Sequence, residues 1–180
     1  MRTHKLLSDS LFELMKKKPF EKITITDICD NAMVHRTTFY AHFHDKYDLL
    51  KASLKYFDEA FETGDIEDVS IDGYKKYYRH IAKNVLTYVA ENFELFKMLL
   101  RKNKKEFVFA VINNFINERL TKKLEQCSRA GIDMKVPVPI LSNLYSGGCS
   151  SVLIWWIEND MPVSSNQLLE YFDVCVNPIL

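Results

Sequence analysis

The stretch of sequence that decides the fold covers residues 20–50 and reads FEKITITDICDNAMVHRTTFYAHFHDKYDLL. Thr24 and Asp27 have the spacing of a capping box, in which a Thr side chain begins a helix and a side chain three residues later bonds back to it. Asp27 stands where Glu or Gln is usual. A short helix is therefore predicted over about 25–31.

A second short helix is predicted over about 36–42, after a connection at 32–34. Asp45 then caps a longer helix that runs through Phe61. Two short helices around a tight turn, followed by a longer helix, are the arrangement of a helix-turn-helix. In that motif the second helix enters the major groove of DNA, while the first crosses the backbone.

The side chains of the second helix suit this use. A recognition helix needs hydrogen-bonding groups near its N-terminus, because Arg reads guanine and Thr bonds to base edges or touches a thymine methyl group. The candidates for base contacts are His35, Arg36, Thr37 and Thr38. Three further side chains are candidates for phosphate contacts, namely Tyr40, His42 and Lys46.

Helical patterns extend outward from this stretch in both directions. A helix over 3–18 precedes it and is stopped by Pro19. After an acidic loop at 63–73, apolar residues recur at helical spacing over about 73–91, 93–101, 104–129, 139–158 and 164–176. We therefore expect an all-α protein of about nine helices. It would have a three-helix DNA-binding domain at 1–60 and a helical bundle for effector sensing and dimerisation at 61–180.

Composition agrees with a folded helical protein. Hydrophobic residues make up 47% of the 180 residues, which argues against disorder, and Gly and Pro number only five each. The four cysteines have no metal-binding or disulfide spacing, and no signal peptide or membrane-spanning run is found. These features predict a cytoplasmic protein with free thiols and no membrane partner. The net charge is zero, but a local basic face still suits DNA.

Residues 5–57 closely resemble the TetR family, particularly a subgroup common in low-GC Gram-positive bacteria. That subgroup typically reads Pro-Phe-x-x-Ile-Thr, then Asp-Ile-Cys, then Arg-(Ser/Thr)-Thr-Phe-Tyr-x-His-Phe, and this chain matches nearly every position. By this resemblance, Phe39 and Phe43 pack beneath the motif. The resemblance also implies DNA contacts by Thr24 or Thr26, His35, Arg36, Thr37, Thr38, Tyr40, His42 and Lys46.

Two positions depart from the family pattern. Met33 replaces the usual Gly, and a positive φ there would cost Met about 1 kcal/mol or more. His35 replaces Ser or Asn, which are better helix caps, and its imidazole is instead available for a pH-sensitive DNA contact. Farther along, residues 144–157 and the helix after them resemble the C-terminal helix pair of the subgroup. This implies a homodimer through helices at about 139–158 and 164–176.

Three other motifs could suggest a metal site, a catalytic nucleophile or a second binding surface, but each has a simpler explanation. His42 and His44 are spaced as in some metal sites, but the DNA-binding motif accounts for both. Residues 148–151 superficially resemble a nucleophile elbow, without its closing Gly or a preceding strand. The basic run at 101–105 is interpreted as a solvated bend rather than a second DNA or membrane contact. We therefore expect no metal, no cofactor and no catalytic site.

The function expected from the sequence is a DNA-binding transcriptional regulator, a homodimeric repressor of a near-palindromic operator that a ligand releases. An effector pocket would be lined by aromatic rings at Tyr74, Tyr77, Tyr78, Phe93, Phe96, Phe109 and Trp155, although ordinary core packing accounts equally well for each ring. The alternative is a TetR-like coactivator whose helical domain binds a protein partner.

Overall fold

The computed structural model describes residues 2–61 and 71–176. This part of the chain contains nine α-helices, one short 3-10 turn and no strand. The helices are α1 (Arg2–Met15), α2 (Ile25–Ala32), α3 (Arg36–Tyr40), α4 (Lys46–Phe61), α5 (Ile71–Glu91), α6 (Phe93–Lys102), α7 (Lys105–Arg129), α8 (Val138–Glu158) and α9 (Ser165–Val176). The predicted all-α class is confirmed. Among these helices, none is long and apolar enough to cross a membrane.

Helix boundaries differ from the prediction at several places near the N-terminus, and α3 ends at Tyr40 rather than at about 42. α1 ends at Met15, and a turn carries the chain through Lys18, because the residue before a proline avoids helical geometry. After Pro19, the chain makes a 3-10 turn at Phe20–Lys22 that the sequence did not predict. The predicted acidic loop at 63–73 falls mostly outside the described residues, and its last three residues already belong to α5.

The chain separates into two compact units. The first joins Met1–Glu62 with the short segment Met98–Lys105, and the second joins Thr63–Lys97 with Glu106–Leu180. The sequence did not predict that a segment so far along the chain belongs with the N-terminal helices.

The core of the first unit lies between α1, α2, α3 and α4. The fully buried apolar side chains include Leu7, Leu11, Ile28, Phe39 and Leu49 on these helices, and Phe20 on the 3-10 turn. Polar bonds fix the register between helices: the hydroxyl of Ser10 donates to the carbonyl of Ile28 (2.9 Å), and that of Ser53 donates to Ser8 (2.7 Å). Buried hydroxyls are costly unless they are bonded, so these contacts favour one packing arrangement.

In the second unit, the turn between α8 and α9 is built around a tryptophan. The side chain of Trp156 is fully buried, and its indole nitrogen donates to the carbonyl of Val163 at 2.8 Å. Arg79 of α5 forms an ion pair with Asp173 of α9. These contacts hold the C-terminal helix pair within the unit.

Candidate DNA-binding site

The start of α2 is a complete capping box. The amide of Asp27 donates to the Thr24 hydroxyl at 3.1 Å, and the Asp27 carboxylate accepts from the Thr24 amide at 2.7 Å. The prediction from the sequence is confirmed, with Asp in place of the usual Glu. The Thr24 hydroxyl also donates to Asp27 at 2.7 Å, whereas the exposed Thr26 hydroxyl has no bond among the described residues. A DNA contact by Thr24 or Thr26 stays a prediction, and for Thr24 it would compete with the bonds of the capping box.

Asp27 also links the capping box to the end of the preceding turn. The Lys18 ammonium lies 2.8 Å from its carboxylate. The hydrogen bonds from Lys18 and then from Thr24 hold the pKa of Asp27 well below its usual range, because they stabilise the charged form. The carboxylate therefore remains charged at the N-terminus of α2, where the helix dipole also favours it.

The connection between α2 and α3 is a left-handed turn at Met33. Its φ is 54° and its ψ is 43°. The amide of Met33 donates to Asp30 and that of Val34 donates to Cys29, which is the bonding pattern of a Schellman motif. This conformation is the one that glycine adopts at least cost, so Met33 bears the strain that the sequence suggested.

α3 has a polar exposed face, and two aromatic rings are buried on its other side. Phe39 and Phe43 are buried, as the resemblance implied. The side chains of His35, Arg36, Thr37, Tyr40 and His42 are exposed, and that of Thr38 is half-buried. His35 occupies the N-cap position without making a side-chain cap bond, so its imidazole is available to a ligand. This surface carries the donors and acceptors that base edges and phosphates require.

One residue beside this surface was not singled out by the sequence. The ring of His4, on α1, lies 4.8 Å from that of His42 and 4.7 Å from that of Phe43, between ring centroids. Burial, and then the charge of His42, lower the pKa of His4. His4 is 38 positions from His42, and a local sequence pattern carries no signal for such a contact.

Lys46 has a different environment from the one predicted. Its ammonium donates to the carbonyl oxygens of Phe20 (2.8 Å), Glu21 (3.0 Å) and Ile23 (2.9 Å). It also lies 4.7 Å from the centroid of the Phe20 ring, and burial lowers its pKa. An ammonium has three donors, and all three are used here. A phosphate contact by Lys46 stays a prediction, and it would require one of these bonds to be given up.

The start of α4 is capped as predicted. The carboxylate of Asp45 accepts from the amides of Tyr47 and Asp48, each at 2.8 Å. These bonds satisfy two of the amides that a helix N-terminus leaves without internal partners. The cap therefore sets the residue at which α4 begins.

Comparisons with known families agree with this geometry. Residues 8–53 match the family described as bacterial regulatory proteins, tetR family, and residues 76–177 match a transcriptional regulator C-terminal region of the TetR type. The second match alone covers more than half of the chain. The chain belongs to the TetR family. It is therefore a DNA-binding transcriptional regulator and not an enzyme. No curated protein sequence matches it.

Solved structures of low sequence identity share the TetR fold of this chain. A putative TetR-family transcriptional regulator from Syntrophomonas wolfei aligns with a TM-score of 0.62 at 16% identity, covering 96% of this chain and 92% of its own. The fatty acid degradation regulator FadR from Bacillus halodurans gives 0.60 at 14% identity, covering 94% and 95%. The dihydroxyacetone kinase operon activator DhaS gives 0.53 at 18% identity, covering 98% and 96%.

The rings predicted to line an effector pocket of this TetR-family protein have mixed environments. Half-buried rings belong to Tyr77, Tyr78, Phe93, Phe96 and Phe109. Trp155 is instead exposed on α8, while its neighbour Trp156 is buried. The side chain of Tyr74 lies outside those that the structure describes. Their role in binding a ligand stays a prediction.

Proposed function

We propose that this TetR-family protein is a homodimeric repressor that binds a near-palindromic operator and is released by an effector. In this proposal residues 1–60 bind DNA, and residues 61–180 sense the effector and form the dimer. The observation that carries the proposal is the outer face of α3. Four exposed side chains able to contact bases or phosphates, His35, Arg36, Thr37 and Tyr40, stand over the buried rings of Phe39 and Phe43.

The dimer is supported by an exposed apolar stripe on α8. Ile140, Leu144 and Trp155 lie on one side of this helix, and each has about half of its surface exposed. Between them, Gly148 is exposed, and nothing lies within 4 Å of where its Cβ would be. Tyr171 of α9 is exposed as well. A second copy covering these side chains would remove them from water and approach closely at the glycine.

An effector is supported by the polar interior of the second unit. Lys123, on α7, is buried, and its ammonium lies 5.0 Å from the centre of the Tyr77 ring. One turn earlier, Arg119 donates to the Tyr77 hydroxyl at 3.1 Å, and burial lowers its pKa. A buried ammonium beside a half-buried guanidinium is uncommon in a core that serves packing alone. Ligand binding there would favour one dimer geometry over another.

DNA binding is tested with a site selected from random DNA by the purified protein. Arg36→Ala and Thr37→Ala should each change sequence preference at one position per half-site, because they remove base contacts worth about 1–3 kcal/mol. Tyr40→Phe should weaken binding to all sequences alike, because it removes a phosphate contact. The exposed Lys135 lies in the second unit, and Lys135→Ala is the control. If no sequence is enriched over non-specific DNA, the proposal is wrong.

Dimerisation is tested by light scattering after gel filtration. Leu144→Glu places a charge in the middle of the α8 stripe and should shift the protein to the mass of one chain. Leu6→Glu changes an exposed leucine of the first unit in the same way and should leave the dimer intact. A dimer that survives Leu144→Glu together with Trp155→Glu would contradict the proposed interface.

Repression is tested by deleting the gene and measuring transcripts of neighbouring operons. A repressor predicts that their transcription rises. A fall would instead favour the second candidate, a coactivator that binds a protein partner. The solved structure of an operon activator with this fold makes that outcome worth measuring.

A further inference from the structure

Asn103 is a neutral residue within the basic run at 101–105, and its side chain is buried while its neighbours face the solvent. Arg101, Lys102 and Lys104 are exposed, whereas Asn103 is only 6% exposed. Its side-chain oxygen accepts a hydrogen bond from the backbone amide of Phe20 at 2.7 Å, across 83 residues of sequence. A solvated bend would account for the exposed basic residues of this run, but it does not account for a buried asparagine that bonds to a distant part of the chain.

The Phe20 bond distinguishes Asn103 from asparagines that only end helices. Asn103 donates to the carbonyl of Leu99 at 2.9 Å, four residues earlier. Asn92 makes the equivalent bond to Tyr88 at the end of α5, also at 2.9 Å. Ending α6 therefore needs only the donor half of the Asn103 amide. The side-chain oxygen of Asn103 is instead bonded to the amide of Phe20, in the 3-10 turn at Phe20–Lys22 that we call the Phe20 turn.

The Phe20 turn leads directly into the DNA-binding helices. The carbonyls of Phe20 and Ile23 are both held by the Lys46 ammonium. Ile23 immediately precedes Thr24, the N-cap of α2. The turn is thus held from two sides, by the amide of Asn103 and by the ammonium at the start of α4. These bonds fix where α2 begins, and the Met33 turn then fixes α3 relative to α2.

We propose that Asn103 is a positioning residue for DNA recognition, which holds the Phe20 turn so that α3 is presented in a binding geometry. Asn103 follows α6, whose first part belongs to the second unit and whose last part belongs to the first. Asn103 itself belongs to the first unit, 83 positions after the Phe20 amide that it holds. This inference rests on the proposed reading of DNA by α3.

The test compares three variants of the full-length protein on the selected site and on random DNA. Asn103→Ala removes both bonds, and Asn103→Asp keeps an acceptor for the Phe20 amide but loses the donor to Leu99. Asn92→Ala removes the equivalent helix-end bond in the second unit. Leaving a buried amide unbonded should lower specific affinity between about 5- and 150-fold in Asn103→Ala, while non-specific affinity is unchanged. Asn92→Ala should retain most of the specific affinity, and Asn103→Asp should retain clearly more of it than Asn103→Ala, because it keeps the acceptor for the Phe20 amide.

Hydrogen exchange of the Phe20 amide gives a second readout in the same variants. The exchange rate should rise in Asn103→Ala and remain near that of the unchanged protein in Asn103→Asp. The inference is wrong if Asn103→Ala binds the selected site normally, or if Asn103→Asp loses as much affinity as Asn103→Ala. Equal loss of specific and non-specific binding in Asn103→Ala would also overturn it, because that result indicates general unfolding. If the unchanged protein selects no site, the proposed function itself has failed.

Discussion

Replacing Met33 with Gly should stabilise this protein, although Met33 is close to the surface that binds DNA. The φ of Met33 is 54°, in the left-handed region, and its side chain is 93% exposed. A left-handed conformation costs an L-residue about 1–2 kcal/mol. Removing this strain stabilises the folded state, but Gly also gives the unfolded chain more conformational freedom, which offsets about 0.4–1 kcal/mol of the stabilisation. Since almost no packing is lost, the net stabilisation should be about 0.5–1 kcal/mol.

The assay is urea unfolding followed by circular dichroism, with Met33→Ala as the matched control. The alanine variant removes the same side chain but keeps the strained backbone, so its stability should equal that of the unchanged protein. For a chain of this length the glycine variant should melt about 1–4 °C higher. Equal stability of the glycine and alanine variants would refute the strain argument. A glycine variant that is less stable would refute it more strongly.

Three further predictions concern the first and second units. Lys46→Met should destabilise the fold by about 2–3 kcal/mol in urea unfolding, because three carbonyls lose a charged donor; loss of DNA affinity at unchanged stability would instead indicate a phosphate contact. The lowered pKa of Asp27 contributes stability that is complete above about pH 5 and is lost as pH falls. Asp27→Asn should therefore flatten the decline in stability between about pH 5 and 2, and an unchanged decline would contradict this. Trp156→Phe should lower the melting temperature by several degrees, because the carbonyl of Val163 loses its indole donor; an unchanged value would argue against that bond.

Features that depend on neighbouring residues were predictable from the sequence. The capping box at Thr24, the cap at Asp45 and the strained turn at Met33 are all set by side chains within a few positions of the backbone groups they affect. The long helices were predictable for the same reason, because apolar periodicity is a local signal. Their ends were less so: α1 ends three residues early, before a proline.

Contacts between distant parts of the chain were not predictable in this way. The three carbonyls that bind Lys46 lie more than 20 positions before it, and a lysine at a helix start near DNA is equally suited to a phosphate. His4 and Asn103 make their contacts only when α1 and the segment after α6 fold against residues that are distant in the sequence. A single sequence records which groups need partners, but not which distant partners they find.

The central claim is that two copies of α3 read two halves of one operator. Hydroxyl-radical footprinting of the selected DNA tests this most directly. A dimer of this kind predicts two protected segments related by two-fold symmetry, with centres about 34 Å apart, one turn of the double helix. Arg36→Ala should weaken both segments together. Protection of a single segment, or of no segment at a protein concentration that shifts the DNA in a gel, would contradict the claim.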